Sequence, residues 1–60
     1  MSLSQIELQN LRHLIGSHEV AEKKLNSYAD SCTDPQVKQM FQQSAKSASQ
    51  TRQKLMSFLV

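Results

Sequence analysis

Cysteine, glycine and proline each occur once in this 60-residue sequence, and tryptophan does not occur at all. A single cysteine cannot form a disulfide within the chain, and no cysteine–histidine cluster has the spacing of a zinc site. A domain this short buries only about 60% of its unfolded surface, so it usually needs a disulfide, a metal or a partner chain. We therefore expect stabilisation by self-association.

Long apolar runs are also missing, and no stretch approaches the roughly 20 residues of a membrane span. Met1-Ser2-Leu3 lacks the basic and apolar regions of a signal peptide. The formal charge of +2 is too small to indicate a nucleic-acid partner by itself. These absences favour a soluble cytoplasmic protein that has no membrane partner.

The single proline divides the chain. Pro35 disfavours helical conformation at Asp34 but fits the first turn of a new helix. Asp34 or Thr33 can cap that helix, and Thr33-x-x-Gln36 also fits a capping box. We predict one domain over residues 1–60, with helix 1 at about 4–32, a turn at 33–34 and helix 2 at about 35–59. The turn residues are Thr33, Asp34 and Pro35.

Apolar residues recur at intervals of three and four on both sides of this turn, which is typical of amphipathic helices. Ser4-x-x-Glu7 fits a capping box at the start of the first helix. Gly16 interrupts that helix, but the apolar stripe resumes in phase after it, so we expect a continuous helix. The predicted fold class is all-α, an antiparallel two-helix hairpin.

The apolar arc is wider than the single seam of a hairpin. Leaving it in water would forfeit about 25 cal/mol per Å² of apolar surface. Two copies packed as a four-helix bundle would cover it, and a twofold dimer is the commonest solution. The predicted dimer interface is Leu11, Leu14, Ile15, Leu25, Tyr28, Phe41, Leu55 and Phe58.

The middle of the hairpin is the only place where we consider a metal site. His18, Glu19 and Glu22 lie together on the first helix, as weak candidates for metal ligands. Bundles that hold two metal ions also draw a Glu-x-x-His motif from other helices, and the second helix contains neither residue type. We therefore predict no metal and no cofactor, with Glu19 solvated and with Glu22 and His18 bonded to Ser44, Ser47 or water.

No pattern predicts catalysis. The sequence has no glycine-rich phosphate loop and no serine with an orienting histidine and aspartate. A dimeric helical hairpin is also the architecture of the small RNA-binding plasmid regulator Rop, and Lys38, Lys46, Arg52 and Lys54 offer phosphate contacts. These residues do not share one tight face with an exposed aromatic side chain that could stack on bases, which argues against RNA binding. We therefore do not expect a nucleic-acid partner and keep RNA binding only as an alternative.

Residues around the turn resemble a known family. The carrying segments are Glu19, Lys24-Leu25-Asn26-Ser27-Tyr28-Ala29-Asp30 and Cys32-Thr33-Asp34-Pro35-Gln36-Val37-Lys38-Gln39-Met40-Phe41-Gln42. They look like the short spore-coat-F-like proteins of spore-forming Firmicutes, with their Tyr-x-x-Tyr-Ala-Glu helix, their Cys/Thr-Asp-Pro-Glu-Leu-Lys turn and their glutamine-rich second helix. The likeness extends from about Leu8 to Leu59.

The resemblance implies a ferritin-like hairpin, a role in sporulation or the spore coat, other coat proteins as partners, and no established catalysis. The sequence departs from the pattern where members often keep Glu-x-x-His, since it reads Ala48-Ser49-Gln50-Thr51 there. We therefore predict a non-catalytic structural protein of spore-coat type that acts through homodimers or larger assemblies. A degenerate ferritin-like metal binder and a Rop-like RNA binder are the alternatives.

Overall fold

The computed structural model describes residues 3–59. The predicted domain covers residues 1–60, so Met1, Ser2 and Val60 lie outside the described residues, and with them two of the three residues that were compared with a signal peptide. Helix α1 spans Gln5–Ser31, helix α2 spans Pro35–Met56, and a 3₁₀ turn covers Ser57–Leu59. The two helices pack against each other as a hairpin, which confirms the all-α prediction. Helix α2 ends three residues before the predicted bound because its last turn tightens, as helix ends often do.

Side chains cap both helix starts. The Ser4 hydroxyl accepts from the Glu7 amide at 3.1 Å, and the Ser4 amide donates to the Glu7 carboxylate at 3.0 Å, which confirms the capping box. At the second start, Asp34 Oδ1 accepts from the amides of Gln36 and Val37 at 2.9 and 3.1 Å. The capping residue is therefore Asp34, and the alternative of a cap at Thr33 is wrong.

The capping box makes stability pH-dependent. The Ser4 amide, followed by the Ser4 hydroxyl, lowers the pKa of the Glu7 carboxyl in the folded chain. A lowered folded pKa means that Glu7 stabilises the fold above the pKa of an unfolded glutamate, about 4.3, and that this stabilisation is lost as pH falls through the folded pKa. We expect the Glu7→Gln variant to lose less melting temperature than the parent between pH 7 and pH 3. Equal losses in thermal melts followed by circular dichroism would contradict this prediction.

The seam between the helices repeats every 3.5 residues. Most positions that are not fully exposed alternate by three and four along each helix, and Gly16, Ala21 and Ser49 are the exceptions. The α1 series is Leu8, Leu11, Ile15, His18, Glu22, Leu25 and Ala29 and ends at the capping residue Cys32, and the α2 series is Lys38, Phe41, Ala45, Ala48, Arg52 and Leu55. A strict 3.5-residue period is typical of a left-handed coiled coil.

The buried residues of this seam are alanines. Within residues 3–59, the buried side chains are Ala29, Ala45 and Ala48, and no large side chain is fully buried. Helix α1 runs unbroken through Gly16 as predicted, and a Cβ added at Gly16 would meet open space. The glycine is therefore not required for close approach within the hairpin.

The hairpin is a long, thin rod. Its Cα atoms extend over 46 × 14 × 12 Å, with a radius of gyration of 14.2 Å, where a compact domain of this length would have about 10 Å. Its accessible surface is 4814 Å², against about 4,000 Å² for a compact monomer of the same mass. In the described part of the chain, no helix is both long and apolar enough to span a bilayer.

Candidate interaction surface

One side of the hairpin carries exposed apolar side chains at seven-residue spacing next to the seam. We call this side the apolar face, and add Met40 because it lies one turn from both Val37 and Ser44. Its residues are Leu14, Ala21 and Tyr28 on α1, with Val37, Met40, Ser44 and Thr51 on α2 and Phe58 in the 3₁₀ turn. Leu14, Tyr28, Val37, Met40 and Phe58 are all exposed.

A groove at the open end of the hairpin joins the two helices on this face. Leu14 from α1 and Phe58 from the 3₁₀ turn both line it, which places their seven-residue rows on the same side of the seam. The remaining lining is Leu3, Leu11 and Leu55, with Glu7 and Asn10 as its polar residues. The groove is therefore an open, mainly apolar depression.

The turn end of the apolar face carries two bulky exposed side chains, Tyr28 and Met40, which we call the projection. Tyr28 is 50% exposed and Met40 is 55% exposed. The Tyr28 ring contacts the half-buried Phe41 ring edge to face, with centroids 5.6 Å apart and an interplanar angle of 60°.

The opposite side of the hairpin, which we call the polar face, has a different composition. Its seven-residue rows are Arg12, Glu19 and Asn26 on α1, with Gln42, Ser49 and Met56 on α2. Met56 is the exception to its polarity, and it receives a weak hydrogen bond from Arg52 Nη1 to its sulfur at 3.8 Å. Five of the nine large exposed apolar residues lie on the apolar face and one, Met56, lies on the polar face, while Ile6, Val20 and Leu59 belong to neither.

The predicted dimer-interface residues divide into two groups in the structure. Leu11, Ile15, Leu25, Phe41 and Leu55 are half-buried along the seam of the hairpin. Leu14, Tyr28 and Phe58 are exposed on the apolar face. The predicted list of interface residues omits Val37 and Met40, although Val37 stands three seven-residue intervals before Phe58, a signal that would have identified it.

A charged pair crosses the middle of the seam. Arg52 Nη2 lies 3.6 Å from Glu22 Oε1, and each side chain is 25% exposed. Side chains lean toward the N-terminus of their own helix, which in antiparallel helices directs these two toward each other. Arg52 Nε is buried without a hydrogen-bond partner. The pair therefore replaces apolar packing over part of the seam.

The three weak candidates for metal ligands, His18, Glu19 and Glu22, each contact a different residue. Nδ1 of His18 lies 2.8 Å from the Leu14 carbonyl oxygen, Glu19 pairs with Lys23 at 3.7 Å, and Glu22 pairs with Arg52. Within residues 3–59, these contacts take the place of the predicted bonds from His18 and Glu22 to Ser44 or Ser47. Among residues 3–59, no three histidine, cysteine, aspartate or glutamate side chains form a group that could hold a metal ion.

The four cationic residues considered for RNA do not form one surface. Arg52 is engaged with Glu22, and Lys38 is half-buried at the seam. Lys46 is exposed, and Lys54 lies in the last turn of α2. Phosphate contacts from all four residues would therefore require different sides of the rod.

The apolar face is thus the most distinctive surface that the described residues form. It combines five exposed large apolar side chains, a groove at one end and the projection at the other. Ala21, Ser44 and Thr51 separate these two clusters. Clustered apolar surface marks interaction sites more often than scattered single residues do. Compared with known proteins, the chain matches no family model, no curated protein and no solved structure.

Proposed function

We propose that this chain is a non-catalytic structural protein that self-associates, two hairpins packing as a four-helix bundle. The observation that carries this proposal is the small hydrophobic core. Within the described residues the buried side chains are three alanines, while nine large apolar side chains are exposed. An isolated rod with such a seam gains little from burial. Packing against a second copy would bury apolar side chains that the single hairpin leaves exposed.

The surface area supports the same conclusion. The hairpin exposes roughly a fifth more surface than a compact monomer of its mass. One broad side of the rod has a footprint of roughly 600 Å², close to the 600–800 Å² that each partner contributes to a stable interface. Association along one side therefore suffices for a specific dimer.

The finer part of the proposal rests on resemblance. Tyr28-Ala29-Asp30 followed by the turn Asp34-Pro35 and the glutamine-bearing start of α2 resembles the spore-coat-F-like proteins, whose hairpins are ferritin-like. We propose that the assembled bundle serves in the spore coat, where its glutamine, serine and lysine surface contacts neighbouring coat proteins. A protein of this type acts by assembly and needs no cofactor.

Sedimentation equilibrium tests self-association directly. At micromolar concentration we expect twice the chain mass, with dissociation at lower concentration accompanied by loss of helical circular dichroism. The same mass with reductant, and in the Cys32→Ser variant, would attribute the assembly to packing, because the single cysteine is then unable to cross-link subunits. A fully helical monomer at micromolar concentration would overturn the proposal.

The location has a separate test. Spores of the source organism should contain the protein in their extracted coat fraction, and vegetative cells should contain little of it. Immunoblotting of both fractions measures this difference. A protein confined to the vegetative cytosol would contradict the spore-coat role without affecting the proposal of self-association.

A further inference from the structure

We infer that the second copy of this chain packs on the apolar face, in the opposite direction, so that the turn end of each hairpin seats in the open-end groove of the other. This inference rests on the proposed self-association and adds the surface and the direction. Three features carry it: the two-sided distribution of apolar side chains, the groove at one end and the projection at the other.

The choice of face follows from the comparison of its two sides. The apolar face exposes Leu14, Tyr28 and Phe58 beside the seam, whereas the matching rows of the polar face expose Arg12, Glu19 and Gln42. Burying the polar face would strip water from charged and amide groups, which costs free energy unless each group is paired again. Burying the apolar face removes the surface that is costly to leave in water.

The centre of the apolar face permits close approach. Ala21, Ser44 and Thr51 occupy the middle of its rows, between the bulky groups at the two ends. Small side chains there let the helices of a second copy come near along the middle of the rod. Large contacts then form at the ends, where the exposed apolar residues lie.

The direction follows from the shapes of the two ends. The open end has a depression lined by Leu14 and Phe58, and the turn end has projecting Tyr28 and Met40 side chains. In an antiparallel dimer each projection meets a depression, and a twofold axis across the middle of the rods makes the two contacts identical. In a parallel dimer, depression would face depression and leave a void at the open end.

Two methionines on the same helix offer a matched test of the face. Met40 is 55% exposed on the apolar face and Met56 is 43% exposed on the polar face. We expect Met40→Lys to weaken the dimer at least tenfold in sedimentation equilibrium, because each dimer would bury two lysines. The Met56→Lys variant should stay within about twofold of the parent, with circular dichroism at high concentration confirming that both variants remain helical.

Spin labels test the direction. Gln9 and Gln39 are exposed near opposite ends of the rod, away from the apolar face, and either accepts a labelled cysteine in a Cys32→Ser background. In the antiparallel dimer, two Gln9 labels should be separated by about 28 Å along the rod, while a Gln9 label and a Gln39 label of the other copy should lie at the same end. The reverse pattern would overturn the inferred direction.

The outcomes separate the two proposals. A monomeric parent chain would overturn self-association and this inference together. A dimeric parent that is weakened by Met56→Lys and unaffected by Met40→Lys would overturn the choice of face and leave self-association standing.

Discussion

Replacing Ala45 with leucine is expected to lower the melting temperature by roughly 5–20 °C. Ala45 is 3% exposed in the seam between α1 and α2. A leucine there adds volume that the space does not hold, and overpacking of this kind costs about 1–3 kcal/mol. The effect is large because a domain of this size has few kcal/mol of stability to lose.

Gln43→Leu is the control for this change. Gln43 is exposed on the same helix, so its replacement adds the same side chain without entering the seam. We expect its effect to stay within about 0.5 kcal/mol. Thermal melts should be recorded at one protein concentration, since association makes the melting temperature concentration-dependent. An Ala45→Leu variant that melts at or above the parent would show that the helices do not need alanine at this level.

Arg52→Ala is expected to destabilise the fold by about 1–2 kcal/mol, between the values typical of surface pairs and of fully buried pairs. The Arg52 side chain is three-quarters buried and its stem covers part of the seam. Its removal leaves the Glu22 carboxylate, which is equally buried, without its cation. Both the lost packing and the uncompensated charge act in the same direction.

The exposed pair between Lys23 and Glu19 supplies the comparison, because its side chains are 78% and 51% exposed. Lys23→Ala should change stability by no more than about 0.5 kcal/mol. Glu22→Leu combined with Arg52→Leu should recover most of the loss, since apolar residues often replace a buried ion pair without cost. Urea unfolding of the three variants measures this, and equal effects of Arg52→Ala and Lys23→Ala would refute a special role for the central pair.

The sequence predicts the helix boundaries well because they depend on local chemistry. Pro35 restricts the backbone of its neighbours, and Ser4 and Glu7 bond within one turn, so neither feature depends on the rest of the fold. The sequence does not decide between Thr33 and Asp34 as the cap, because either side chain is able to accept from the Gln36 amide.

The Glu22–Arg52 contact could not be predicted in the same way. It requires the register of two helices and the direction in which two long side chains lean, and the simple pairing of residues across the turn places small residues opposite Glu22. The apolar stripe likewise contains two rows of residues, of which one is half-buried in the seam and the other is exposed. Leu11 and Ile15 belong to the 3.5-residue seam, whereas Leu14 belongs to the row beside it, and only packing separates them.

Both described ends of the chain, Leu3 and Leu59, lie at the open end of the hairpin. If two copies run in opposite directions, Leu59 of one copy and Leu3 of the next are about 40 Å apart, at opposite ends of the bundle. A gene that encodes two copies in tandem would then need a linker of at least a dozen extended residues to close the bundle within one polypeptide. With a shorter linker, the two hairpins of such a duplicated chain would have to pair with hairpins of other chains, which would produce linear polymers.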